Sequence, residues 1–94
     1  MTDLEGFRHQ INLVDTTILE LLANRMDLAK QCRQFKSDVT DTRREAEVFQ
    51  RVTDMSDGRL SPEFCRNLFS QIITESKRMQ ETPGHQPTLD VTLA

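Results

Sequence analysis

Apolar residues stepping three and four along the chain, Leu4, Phe7, Ile11, Val14, Ile18 and Leu21, then Leu28, Cys32 and Phe35, constrain this sequence more than any other feature. The 3-4 alternation lasts more than four heptads, and neither Gly nor Pro falls between Phe7 and Ser37. That pattern predicts one helix over residues 4–37, packed along a single stripe. At about 1.5 Å per residue it is about 50 Å long, whereas a globule of this chain length has a radius of gyration of about 12 Å. Such a helix outreaches its own domain and needs a second chain to cover it. One seam position, between Leu21 and Leu28, is Arg25. A guanidinium on a packed face requires an anion, and no Asp or Glu occupies the neighbouring seam positions, so a bound anion is the expected partner.

Composition narrows the possible functions. Ninety-four residues, 36% hydrophobic and without Trp or Tyr, make one small domain whose core is thin in isolation. A net charge of -3 argues against a general nucleic-acid or anionic-membrane binder. No apolar run is long enough to span a membrane, and the acidic start, Met1 to Glu5, lacks the pattern of a signal peptide. A cytoplasmic location is therefore expected. Cys32 and Cys65 fall at apolar helix positions without CxxC spacing or nearby histidines. Both are expected to be reduced core residues, with neither disulfide nor zinc.

Two shorter helices follow the long one. Ser37 to Asp41 supplies turn residues, and Thr42-Arg43-Arg44-Glu45 has the form of a capping box, opening a second helix through Val48, Phe49, Val52 and Met55 that stops at Asp57-Gly58. Ser61-Pro62-Glu63 provides a cap, a first-turn proline and an acidic first turn for a third helix ending near Glu81, with Cys65, Leu68, Phe69, Ile72 and Ile73 inward. The helical domain thus covers residues 1–81, and 82–94 are expected to form a mobile tail. The fold class is all-α.

Several polar residues stand where apolar ones belong. On a helical wheel Arg25 and Lys36 lie within about 20° of each other, separated by about 16 Å of axis, a span that brackets a ligand of sugar-ring size. Lys36 also reads as a last-turn cation complementing the helix dipole. Arg8 shares the stripe but lies about 25 Å before Arg25, so it meets the same ligand only if two first helices pack antiparallel across a two-fold axis. Arg43 and Arg44 oppose the dipole of the second helix, which a bound anion would offset. Glu45 is either a capping acid or an acceptor for a ligand hydroxyl. Ser76 and Gln80 continue the third helix's apolar stripe, from end fraying or as a polar pocket wall. The set holds no nucleophile-base pair and no metal-ligand cluster, which leaves orientation and electrostatics as the available chemistry.

These residues carry a family resemblance. The runs LEGFRHQI at 4–11, LLANRMDLA at 21–29, DTRRE at 41–45 and LFSQIITES at 68–76, with Lys36 and Gln80, resemble the all-helical chorismate mutases over residues 4–81. The resemblance implies an intertwined homodimer of three-helix chains in which both chains build each active site, without a cofactor. It implies that Arg8 of one chain joins Arg25 of the other on the substrate carboxylates, with Arg44 adding charge and Ser76 a hydroxyl contact. Lys36 and Gln80 would donate to the ether oxygen, and Glu45 with the backbone of Asp41 would hold the ring hydroxyl. The stretch from Lys36 to Arg44 is shorter than in typical members. Arg43 is an alternative to Arg44, but Arg44-Glu45 keeps the family's Arg-Glu order and leaves Asp41 in its usual place.

The implied reaction is the Claisen rearrangement of chorismate to prephenate, in aromatic amino-acid biosynthesis or a secondary-metabolite cluster. Isochorismate-pyruvate lyase and a mutase of the 4-amino analogue of chorismate are runners-up on the same fold. A non-catalytic helical pairing module is a different class of reading, for which the heptad seam alone suffices.

Overall fold

The computed structural model describes residues 2–81. They form three helices, α1 Asp3–Cys32, α2 Thr42–Met55 and α3 Pro62–Glu81, with a 3-10 turn, Arg33–Phe35, at the end of α1 and no strand among the described residues. The expected tail over 82–94 lies outside them.

Each start is set by a side-chain oxygen on an otherwise orphaned N–H. Thr2 Oγ1 accepts from Glu5 N at 3.0 Å, and Asp3 and Glu5 complement the dipole of α1. Ser61 Oγ accepts from Phe64 N at 3.0 Å ahead of the first-turn Pro62, as the sequence predicts. At α2 the cap is Asp41 rather than Thr42, its Oδ1 accepting from Arg44 N at 3.0 Å. Asp41 is extended, with φ -131° and ψ 91°, and its carboxylate is the better acceptor, so the capping box expected at Thr42 does not form and Glu45 is released from it. Between α2 and α3 the chain turns through Gly58, whose φ of +93° is open to glycine without strain.

The long helix stops before Ser37. Regular α geometry ends at Cys32, a 3-10 turn follows, and Lys36 is fully extended at φ -143° and ψ 150°. Only a few residues are available to return the chain to α2, so the last turn tightens, and Arg33 Nη1 satisfies the freed Lys36 carbonyl at 2.7 Å. The helical-wheel placement of Lys36 on the face of Arg25 therefore does not hold.

α3 packs against both other helices, and the core is Val48 of α2 with Cys65, Ile72 and Ile73 of α3. No residue of α1 is buried. Leu22, Arg25, Met26 and Ala29 are half-buried, but the apolar stripe is open, from 48% exposed at Ile18 to 86% at Phe35 just past the helix. Cys32, expected in the core, is exposed, because α1 ends beside it without a covering element; Cys65 is buried, and both are free thiols. The described residues measure 52 × 34 × 15 Å with a radius of gyration of 17.2 Å. That is well beyond the roughly 12 Å of a compact chain this long, as the reach of α1 requires.

Candidate active site

Where α1 gives way to its tight turn, the start of α2 and the end of α3 close around a cavity of about 270 Å³. α1 contributes Arg25, the connection Lys36 and Asp41, α2 Arg44 and Glu45, and α3 Ser76 and Gln80. Seven of the eight residues singled out by sequence thus share one cavity. Arg8 does not: it is exposed near the far end of α1. A second cavity of about 710 Å³ shares Arg25, Arg44 and Val48 with the first and runs over Val52, Met55, Leu60 and Phe69, with Arg51 and Arg59 at its edge.

Arg25 is the centre of the polar wall. Its Nη1 donates to Ser76 Oγ at 2.8 Å and its guanidinium lies 5.9 Å from the centre of the Phe69 ring. Ser76 Oγ in turn donates to the Ile72 carbonyl at 2.9 Å, with Met26 Sδ at 3.3 Å as a weaker acceptor. Among the described residues no carboxylate pairs with Arg25. Burial, and secondarily the charge of Arg44, push its pKa below the ordinary guanidinium range. Arginine stays charged at neutral pH regardless, so the lowering registers an uncompensated cation facing a second one. Among the described residues Arg44 pairs with the exposed Glu47 alone, at 3.6 Å.

The remaining groups are held in defined places. Lys36 Nζ donates to the Val39 carbonyl at 3.0 Å, which folds its side chain back and leaves two of its three protons for a ligand. Asp41 accepts from Arg44 N through Oδ1 and from Glu45 N through its carbonyl, at 3.0 and 2.9 Å, and its own N–H is a donor at the cavity wall. Gln80 is 7% exposed, and its Oε1 is buried without a hydrogen-bond partner. A buried amide oxygen without a partner in a polar cavity wall is costly to fold, and a donor placed in the cavity would offset that cost.

Lys77 escaped the sequence reading. It lines the same cavity and its Nζ lies 3.1 Å from Glu45 Oε2. The signal was available, since Lys77 stands four residues after the buried Ile73 and three before Gln80, one turn apart on the same face.

Four cations, two carboxylates and the uncharged Ser76 and Gln80 therefore surround one small space. Among the described residues lining the cavity there is no nucleophile-base pair of the Ser-His or Cys-His kind, and Cys32, the one thiol among them, has no histidine beside it. It can grip anions, donate to an oxygen that gains charge and fix the shape of what it encloses. A model of the family described as chorismate mutase type II matches residues 7–81 of the chain. No curated protein and no solved structure matches it.

Proposed function

Because this chain belongs to the type II chorismate mutase family, we propose that it is an isomerase of the shikimate pathway, converting chorismate to prephenate as a homodimer with two shared active sites. One ether C–O bond breaks as one C–C bond forms within the same molecule, with no proton transferred. The protein need only select the reactive diaxial conformer and stabilise charge as the bond breaks.

The observation that carries this reading is the convergence of Arg25, Lys36, Arg44, Glu45, Ser76 and Gln80 on one cavity. Arg25, already uncompensated, takes a substrate carboxylate with Ser76 and Arg44 beside it. Lys36 and Gln80 donate to the ether oxygen, whose negative charge grows in the transition state. The carboxamide of Gln80 flips about its last bond, so the orphaned position of its oxygen also serves its NH₂ group. Glu45 accepts from the ring hydroxyl and the free N–H of Asp41 donates to it.

Arg8 completes the site from a second copy. The exposed apolar stripe of α1 and the apolar floor of the larger cavity, next to Arg25, support an arrangement in which α1 of each chain crosses the other. The purified full chain incubated with chorismate should consume the substrate absorbance and yield prephenate. Salicylate from isochorismate with inert chorismate would overturn the reading in favour of the lyase. Inertness toward both would leave a pairing module.

A further inference from the structure

Glu45 does not meet the cavity alone. Its Oε2 is 3.1 Å from Lys77 Nζ, and the two side chains are only 25% and 31% exposed, so the pair is partly shielded from water as it ties the first turn of α2 to α3. The other three cations of the cavity have separate work to do. Lys36 is seated on the Val39 carbonyl, Arg25 on the Ser76 hydroxyl, and Arg44 lies across from Arg25. Asp41 is tied through Oδ1 to the start of α2, whereas Glu45 is the cavity carboxylate that a cavity cation faces, with Lys77 on its Oε2.

This geometry points to Lys77 as a specificity-determining residue, which by neutralising Glu45 makes the site accept a ligand hydroxyl there and reject an ammonium. The inference rests on the mutase reading above, in which Glu45 meets the ring hydroxyl. A lone shielded carboxylate binds an ammonium more strongly than a hydroxyl, because a charge-assisted hydrogen bond is the stronger one. With an ammonium already on Oε2, the other oxygen still accepts a neutral O–H. A second ammonium would gain little from the neutralised carboxylate and would repel the first across a few ångströms. At the effective dielectric of a half-exposed site that repulsion, reduced by screening, weakens binding by at least about tenfold. Lys77 acts through Glu45 and touches no reacting atom, so it positions charge rather than performing the chemistry.

The test compares the full-length protein with Lys77→Met and Lys77→Arg. It measures the KM for chorismate and the inhibition constant of the analogue bearing a ring ammonium in place of the hydroxyl, added as a competitor of chorismate turnover. Neither constant depends on how much of a variant is folded, so partial misfolding does not imitate the effect. The ratio of inhibition constant to KM should fall about tenfold in Lys77→Met, while in Lys77→Arg it stays within about twofold of wild type because the charge is kept. An analogue that inhibits Lys77→Met no better than wild type overturns the role of Lys77 and leaves the mutase reading intact. A wild-type protein that does not convert chorismate overturns both.

Discussion

Nη1 of Arg25 donates to Oγ of Ser76 at 2.8 Å, joining α1 to α3 across 51 positions of sequence. The bond aims the guanidinium into the cavity while giving it only a neutral acceptor, so its charge remains uncompensated. Arg44 faces it and water is partly excluded, which is why the proposed function assigns a substrate carboxylate to this cation.

Arg25→Leu should therefore separate activity from stability. Loss of one such donor typically costs about 100- to 1,000-fold in turnover, or about 3 to 4 kcal/mol of transition-state stabilisation. The melting temperature should hold or rise, because a desolvated charge is replaced by a seam residue. Prephenate formation and thermal unfolding on one preparation check both halves. A variant that keeps full turnover removes Arg25 from the mechanism.

Gln80→Leu should behave similarly for a different reason. Its Oε1 is buried without a partner, and removing such a group while filling the space should stabilise the fold by about 1 to 3 kcal/mol. Turnover should fall with the loss of a donor to the ether oxygen. The midpoint of urea unfolding reads the first effect. A lowered midpoint would show that the amide is satisfied in the working protein.

Shared sites predict complementation. Arg8→Ala and Lys36→Ala should each be nearly inactive, but equal amounts unfolded together and refolded should recover about a quarter of wild-type turnover, since half of the random dimers carry one intact site of two. A mixture that stays as inactive as its components would place Arg8 and Lys36 on the same side of the site, or neither in it.

A dianionic bicyclic mimic of the transition state should raise the melting temperature, because it relieves the repulsion between Arg25 and Arg44. At a hundredfold excess over its dissociation constant the gain is about 2.7 kcal/mol. Arg25→Leu should lose most of that gain, and scanning calorimetry with and without the ligand reads the difference.

How much was legible in the sequence depended on the range of the interactions. The start of α3 follows from Ser61-Pro62-Glu63, a signal confined to three neighbours, and it stands where expected. The long helix was legible from its seam, but its end was not, since the seam reaches Phe35 while the chain leaves α geometry after Cys32. A short connection decides that, through the Arg33 and Lys36 contacts that close it. Two acceptors competed for the α2 cap, and Asp41 prevailed over Thr42 by one position. Lys36 reached the expected cavity by a route the helical wheel did not describe. Lys77 went unnoticed although its spacing from Ile73 and Gln80 places it on the cavity face, because a lysine next to an apolar stripe is ordinarily read as solvated, and its partner Glu45 lies on another helix. Arg8 lies outside the cavity because one chain cannot bend a straight helix back onto itself.

A helix of thirty residues that buries none of its own side chains has no way to hide its grease by folding alone. In the proposed dimer, dilution should act on this protein as a denaturant does, and its melting temperature should climb with its own concentration. In a cell, a newly made copy would stay sticky and open to proteases until it met another, so supply of the polypeptide itself would set how much of it survives.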